Sequence, residues 1–180
     1  ADITLSNLVS GETLNHSGTA TISSANTGSY TITNLSGISI ADNAGSASNY
    51  TLTGGTHGFT VNPKVVSIQG NKTYDGNTTI SSSDITSITG TVGSETLVMS
   101  SGTGTSSSPS AATYASAGIN VGSLTLGNGS NGGLAANYTL SGHAASSFQI
   151  NQRILSSSGS QIYNGTTTAS SGNLTLSNLI

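Results

Sequence analysis

The chain has 180 residues, only 5% of which are charged, and its formal net charge is −3. With three basic residues in all, it lacks the positively charged surface that binds nucleic acid, and it contains no apolar run of the ~20 residues that cross a membrane as a helix. It has no cysteine, so packing and hydrogen bonds must hold the fold without disulfides. Glycine, serine, threonine and asparagine dominate, but the many β-branched residues favour a folded β-protein over a flexible linker.

Apolar and small polar residues alternate along the chain with a period of two, which is the pattern of half-buried β-strands. Clusters of Gly, Asn and Ser separate these segments and are typical of turns. In chain order, the alternating apolar pairs are Ala20/Ile22, Tyr30/Ile32, Tyr50/Leu52, Phe59/Val61, Val66/Ile68, Leu97/Met99, Leu124/Leu126, Tyr138/Leu140, Phe148/Ile150 and Leu174/Leu176. No segment has a helical period, so we predict an all-β protein.

Much of the sequence occurs twice. Phe59 returns as Phe148, 89 residues later (148 − 59 = 89), and Tyr50 returns as Tyr138 within the same tetrapeptide, Asn-Tyr-Thr-Leu. The pentapeptide Thr-Leu-Ser-Asn-Leu occurs at 4–8 and again at 175–179. A repeat of this length is a small domain and is longer than a solenoid repeat of ~20–50 residues.

The repeat divides the chain into three parts. We expect residues 1–63 to be a module that lacks its first strands, residues 64–152 to be a complete module, and residues 153–180 to be the first strands of a following module, with strands of another chain as an alternative partner. About seven or eight short strands in each module predict Ig-like β-sandwiches arranged in tandem as an elongated array. A parallel β-helix is the alternative, although it would show a second period of ~20 residues.

The most specific local motif is Tyr74-Asp75-Gly76, which returns as Tyr163-Asn164-Gly165. Asp-Gly and Asn-Gly are favoured central pairs of tight hairpin turns. Because Asn164 keeps the turn propensity and removes the charge, the exchange favours a structural turn over a site that needs a carboxylate. We expect the tyrosines to anchor these turns, with their rings buried and their hydroxyls bonded to backbone.

This motif, with Lys72 two residues before the tyrosine and the joint Pro63-Lys64 upstream, resembles the YDG repeat of large bacterial adhesins. These are filamentous-haemagglutinin-like surface proteins exported by two-partner secretion. The second copy is degraded, because Gln161 replaces the lysine and Asn164 the aspartate. The resemblance implies an extracellular stalk of tandem β-modules at the bacterial cell surface, with module joints at Pro63, Lys64 and Arg153, and it carries over no catalytic residue.

We therefore expect non-catalytic spacer modules of an adhesin or biofilm-matrix fibre, without cofactor or metal, whose partners are neighbouring modules of the same chain or fibre. Two alternatives stay open. One is a filament subunit completed by strand exchange between copies. The low content of charged residues favours such exchange, because charged side chains on an edge strand hinder its pairing with another chain. The other is a module that binds host or matrix glycans through its tyrosines.

Other polar residues give weaker signals. His16, His57 and His143 are too far apart to form a local metal motif and are expected to be solvated loop residues. The acidic pairs Asp2/Asp84 and Glu12/Glu95 recur in phase, but calcium requires more oxygen ligands in one loop. We expect these carboxylates to solvate an edge or a loop.

Overall fold

The computed structural model describes residues 3–180 and divides the chain into two compact units, Ala1–Pro63 and Lys64–Ile180. Both units consist of short strands and single 3₁₀ turns, so the all-β prediction is confirmed. No helix among the described residues has the length and apolarity to span a membrane.

Residues 3–63 of the first unit contain four strands. They are β1 (Asn15–Gly18), β2 (Gly28–Thr31), β3 (Ile38–Ala41) and β4 (Gly58–Val61), with a 3₁₀ turn at Ala47–Asn49. Strand β1 pairs antiparallel with β3, and β2 pairs antiparallel with β4. An isolated bridge joins Thr21 to Asn34.

The second unit contains the remaining strands. They are β5 (Lys64–Val65), β6 (Ser67–Thr73), β7 (Thr79–Ser81), β8 (Ile85–Thr89), β9 (Leu97–Ser101), β10 (Thr103–Ser106), β11 (Ala112–Ala115), β12 (Ile119–Asn120), β13 (Thr125–Asn128), β14 (Tyr138–Thr139), β15 (Ser147–Asn151), β16 (Ser156–Gly159) and β17 (Leu174–Ser177). Its 3₁₀ turns are Ser82–Asp84, Ser116–Gly118, Ala135–Asn137 and Ser171–Asn173.

Two sheets form the body of this unit. One has the order β11-β15-β6-β8 and the other the order β12-β10-β7, while β13–β9 and β14–β5 are separate pairs. Strand β15 runs parallel to β6, and β14 parallel to β5, whereas the other pairs between described strands are antiparallel. A parallel β-helix would pair successive coils in parallel, so this mixture argues against that alternative.

A single apolar cluster lies between these sheets. Its most deeply buried members come from both sheets, namely Ile68, Phe148 and Ile150 from one and Ile80 from the other, together with Val66 between β5 and β6. The alternation seen in the sequence explains the packing of β15, because Phe148 and Ile150 point to this cluster while Gln149 between them is exposed. In β6, Ser67 and Ile68 are both buried. Two sheets around one shared core are compatible with a β-sandwich.

The first unit repeats part of the second with the same strand register. Tyr30 pairs with Phe59 across β2–β4, as Tyr114 pairs with Phe148 across β11–β15. The bridge between Thr21 and Asn34 matches the pair Thr105 and Asn120. Among residues 3–63, however, no strands correspond to β5, β6 and β7.

The last part of the chain repeats the missing elements. Strands β16 and β17 form an antiparallel ribbon that pairs Gly159 with Leu174, just as Gly70 pairs with Ile85 across β6–β8. All residues of this ribbon are exposed, in contrast to the buried Val66, Ser67 and Ile68 of the first copy. Residues 153–180 thus carry the strand pairing of the start of a module without its core.

Candidate functional site

The segment at 74–78 connects β6 to β7. These two strands do not pair with each other, because β6 lies between β15 and β8 while β7 pairs with β10. The predicted hairpin turn is therefore wrong, and the segment instead carries the chain from one sheet to the other. Tyr74 is partly buried and packs against the core, which places one end of the loop on the apolar cluster.

The ammonium group of Lys72 holds this loop together. Its Nζ lies 2.9 Å from Oδ1 of Asp75, 2.9 Å from the carbonyl oxygen and 3.0 Å from Oδ1 of Asn77, and 2.8 Å from the carbonyl oxygen of Thr79. The Lys72 side chain is only 7% exposed. An ammonium group has three protons, so these acceptors share its donors and the lysine forms the centre of the loop.

The loop residues also bond to one another. Oδ1 of Asp75 accepts from the backbone N–H of Asn77 at 3.1 Å, and Oδ1 of Asn77 accepts from that of Thr79 at 3.0 Å. These are two consecutive Asx turns. Gly76 has a φ of +80°, a left-handed conformation that residues with a side chain rarely adopt. The Asp-Gly-Asn order is thus explained by backbone geometry.

The carboxylate of Asp75 is part of this arrangement. The hydrogen bond from Lys72 lowers the pKa of Asp75 below its ordinary value, with a smaller contribution from the N–H of Asn77. The negative charge of Asp75 is therefore paired with the ammonium group of Lys72 within the loop.

The second copy of the motif keeps the turn and loses the lysine-centred contacts. Oδ1 of Asn164 accepts from the N–H of Thr166 at 3.0 Å, and Gly165 has a φ of +73°. Tyr163, however, is 92% exposed, so the expectation that it anchors its turn with a buried ring is wrong. The reason is that residues 160–170 are all exposed and offer no core against which the ring could pack.

A second feature occurs once in each unit. In the second unit, the hydroxyl of Tyr138 donates to Oε2 of Glu95 and accepts from the N–H of Val92 at 3.0 Å. In the first unit, the hydroxyl of Tyr50 donates to Glu12 and accepts from the N–H of Val9 at 3.1 Å. The sequence predicts backbone bonds for the turn tyrosines Tyr74 and Tyr163 and expects Glu12 and Glu95 to solvate an edge or a loop, so the bonds of Tyr50 and Tyr138 to backbone and to these glutamates were not predicted.

These glutamates change the titration of the tyrosines. The hydrogen bond to Glu95 raises the pKa of Tyr138 above its ordinary value, and burial of the ring adds to the shift. The hydrogen bond to Glu12 likewise raises the pKa of Tyr50. Both phenols therefore stay protonated, and able to donate, throughout the neutral range.

Two further tyrosines form a hydrogen bond between their own strand and the loop that precedes it. The hydroxyl of Tyr114 donates to the carbonyl oxygen of Ser110 at 2.7 Å, and that of Tyr30 donates to the carbonyl oxygen of Asn26 at 2.7 Å. Each bond spans four residues, like the tyrosine corner of β-sandwich proteins. Four tyrosines thus use their hydroxyls in the same two ways in both units.

The predicted joint residues lie at element boundaries. Pro63 is the last residue of the first unit, and Lys64 begins β5, where it pairs with Tyr138. Arg153 donates from Nε to the carbonyl oxygen of Asn178 at 2.7 Å and from its terminal nitrogen to Oδ1 of the same residue at 2.6 Å. An open cleft of about 600 Å³ lies beside Arg153 and is bordered by Tyr74, Leu155 and Ile180.

The histidines and acidic residues singled out in the sequence do not form a common site among residues 3–180. Among residues 3–180, no group of three or more His, Asp or Glu side chains is placed to hold a metal ion. His57 and His143 are half-buried, contrary to expectation, and Nε2 of His57 lies 2.9 Å from the carbonyl oxygen of Leu52. Asp84 accepts from the N–H of Ser81 at 2.8 Å, whereas Asp2 lies outside the described residues.

Residues 59–147 match the family model of the YDG domain. The chain contains a YDG domain. The match covers one period of the repeat, because it begins at Phe59 and ends one residue before the counterpart, Phe148. The YDG domain includes the loop centred on Lys72, the bridge from Tyr138 to Glu95 and the bond from Tyr114 to Ser110. Neither the curated proteins nor the solved structures gave a match.

Proposed function

We propose that the chain is a load-bearing spacer, made of YDG modules in series, in an extracellular adhesin or matrix fibre of the bacterial cell surface. The filamentous-haemagglutinin-like context and export by two-partner secretion belong to this proposal and rest on the resemblance of the motif. The proposed role is non-catalytic, and its partners are the neighbouring modules.

The observation that carries the proposal is the parallel pairing of β6, the first long strand of the module, with β15, its last strand. Strand β6 enters the module and β15 leaves it, and the two run parallel with five residue pairs in register, from Ser147/Gln69 to Asn151/Thr73. A force applied along the chain pulls β6 backwards and β15 forwards. Because the strands are parallel neighbours, this force shears the ladder and loads its hydrogen bonds together.

The short pair β5–β14 adds to the same arrangement. It is also parallel and joins Lys64 to Tyr138 and Val65 to Thr139. The N–H of Val66 then donates to the carbonyl oxygen of Thr139 at 2.9 Å. The entering chain is thus bonded to two separate segments of the module before it reaches the YDG loop.

The tyrosine bonds favour this role over glycan recognition. The hydroxyls of Tyr30, Tyr50, Tyr114 and Tyr138 bond within their own units, at equivalent positions of the repeat. A glycan site would instead present these groups to its ligand. Their internal use once per unit is the behaviour expected of a repeated structural element.

Small-angle scattering of the 180-residue chain tests the spacer proposal. A single compact globule of this length has a radius of gyration of about 16 Å. Modules in series predict a clearly larger radius of gyration at low protein concentration, together with a long tail in the distance distribution. A radius of gyration that stays near the compact value at all concentrations would contradict the proposal.

A further inference from the structure

Four oxygen atoms of the YDG loop surround a single point. The Nζ atom of Lys72 occupies this point and lies within 3.0 Å of each of them, namely Oδ1 of Asp75, the carbonyl oxygen and Oδ1 of Asn77, and the carbonyl oxygen of Thr79. We call these four atoms the oxygen cage. Carboxylate, amide and carbonyl oxygens that converge in this way are typical of the sites at which proteins bind free cations. The loop therefore has the form of a cation site in which a side chain takes the position of the ion.

The spacing of the cage residues agrees with this interpretation. Asp75, Asn77 and Thr79 are alternate residues of one loop, and calcium-binding loops likewise take their first ligands from alternate residues that begin with an aspartate. The oxygen cage contains one carboxylate, whereas calcium loops add a further bidentate glutamate. Its oxygens also lie 2.8–3.0 Å from Nζ, beyond the about 2.3–2.6 Å of calcium ligands. A monovalent cation that donates hydrogen bonds therefore fits the cage better than calcium does.

The backbone of the loop holds the oxygen cage in place without the lysine. The two Asx turns bond Asp75 to the N–H of Asn77, and Asn77 to the N–H of Thr79. Thr79 also begins β7, where it pairs with Thr105 of β10. None of these bonds involves Lys72. We therefore expect the cage to keep its shape in a folded variant that lacks the ammonium group.

The lysine reaches the oxygen cage from a different element. Lys72 belongs to β6, where it lies opposite Ile150 of β15, and its side chain is only 7% exposed. Its aliphatic stem is therefore enclosed by the module, and its ammonium group is directed at the cage. Truncation of the side chain at Cβ leaves a space that matches Cγ, Cδ, Cε and Nζ of lysine, and these atoms together have the composition of a propylammonium ion.

The second copy of the motif preserves the balance of charge. Gln161 stands where the first copy has Lys72, and Asn164 stands where it has Asp75, so the cation and the carboxylate are lost together. The carboxylate thus occurs only in the copy that also has the ammonium group. A site that requires a bound cation predicts this association.

We propose that the YDG loop is a binding site for a primary ammonium group, which Lys72 supplies from within the chain. Because this group is tethered, its effective concentration at the oxygen cage is high, and the loop does not depend on dissolved cations. When the lysine side chain is removed, a free alkylammonium ion of matching length binds the same cage. The inference concerns this loop alone and does not depend on the load-bearing role.

Chemical rescue of Lys72→Ala in the 180-residue chain tests the proposal. Circular dichroism follows the melting transition that the substitution lowers, in propylammonium chloride and in tetramethylammonium chloride at the same concentration. Tetramethylammonium matches the charge and the ionic strength but has no N–H donor. We expect propylammonium to raise the melting temperature by several degrees relative to tetramethylammonium, with an effect that grows with concentration as binding to the folded state requires. Equal melting temperatures of the variant in the two salts would overturn the proposal.

Matched variants locate the binding. The unsubstituted chain should melt at the same temperature in both salts, because Lys72 already occupies the oxygen cage. Lys72→Met fills the space that propylammonium needs, and Lys72→Ala/Asp75→Asn lacks the carboxylate, so neither should gain the stabilisation seen with Lys72→Ala. A gain as large as that of Lys72→Ala in any of these three chains would overturn the proposal, because the ion would then bind elsewhere. Calcium chloride that stabilises Lys72→Ala as much as propylammonium does would overturn the assignment to an ammonium group.

A variant that does not fold in dilute buffer still gives a result. If Lys72→Ala is unfolded there, refolding in propylammonium chloride should recover the circular dichroism spectrum of the unsubstituted chain, and refolding in tetramethylammonium chloride should not. A spectrum that stays unfolded in both salts, or that recovers equally in both, would overturn the proposal.

Discussion

Replacement of Lys72 by methionine should destabilise the YDG module. Methionine keeps the length and apolar character of the side chain and removes the ammonium group. The substitution leaves the carboxylate of Asp75 and the carbonyl oxygens of Asn77 and Thr79 without the donor that they share. The loop between the two sheets then loses its central bond.

The geometry gives the size of the effect. A hydrogen bond to a charged group contributes about 1.5–3 kcal/mol, and an exposed ion pair adds at most about 1 kcal/mol. Asp75 is 42% exposed, so water can replace the lysine at the carboxylate. The carbonyl bonds therefore dominate, and we expect the free energy of unfolding to fall by about 2–3 kcal/mol.

Urea unfolding followed by circular dichroism measures this change. The control is Lys64→Met, because Lys64 is the other lysine of the chain and is exposed on β5. The expected change for the control is within about 0.5 kcal/mol of zero. Lys72→Gln reproduces the residue at the second copy, Gln161, and should be destabilised like Lys72→Met.

Equal stability of the two lysine variants would refute this reasoning. If Lys72→Met and Lys64→Met unfold at the same urea concentration with the same slope, the lysine does not hold the loop. In that case the contacts of its ammonium group would be surface contacts of no energetic consequence, and the Asx turns alone would explain the motif.

Further predictions concern the tyrosines. Tyr138→Phe removes the bonds to Glu95 and to the N–H of Val92 and should lower the melting temperature by about 5 °C, whereas no change would argue that the bonds are replaced by water. Tyr114→Phe removes the bond to Ser110 and should lower the free energy of unfolding by about 1 kcal/mol in urea. Because glutamate raises two tyrosine pKa values, the unfolded chain releases these protons first, so stability should be constant near neutral pH and fall as pH rises above about 10. A urea midpoint that stays constant from pH 9 to 11.5 would contradict that reasoning.

The period of two in the sequence was sufficient to predict the all-β fold. Residues such as Phe148 and Ile150 lie at the buried positions that the alternation indicates. The repeat also predicts that Tyr50 and Tyr138 act alike, as do Tyr30 and Tyr114, whereas the matched pair Tyr74 and Tyr163 differs because residues 160–170 offer no core to Tyr163. Residue chemistry and the period of two therefore predict the all-β class and the buried positions of the fold.

The partners of strands could not be predicted in the same way. The Asp-Gly pair in the YDG loop favours a hairpin locally, but β6 and β7 find their partners in different sheets. The pentapeptide shows the same effect within the chain. Residues 4–8 lie outside any strand, whereas the first three residues of the identical segment 175–179 belong to β17, where β16 is available to pair. Strand formation here depends on a partner distant in sequence.

The sequence also does not predict that Lys72 lies at the centre of the loop. Lys72 was noticed as part of the motif, but its four acceptors depend on how Asp75, Asn77 and Thr79 fold back around it. One signal pointed to it, namely that lysine and aspartate are both replaced in the second copy. Two partners of an ion pair that disappear together indicate contact between them.

Single-molecule pulling on the 180-residue chain tests the load-bearing claim most directly. Handles at Asn62→Cys and Gln152→Cys apply force across the parallel strands β6 and β15, whereas handles at Gln152→Cys and Ile180→Cys pull the antiparallel ribbon β16–β17 apart from its open end. We predict one high-force event with a length gain of about 300 Å in the first geometry and low-force opening in the second. Equal, low forces in both geometries would contradict the account.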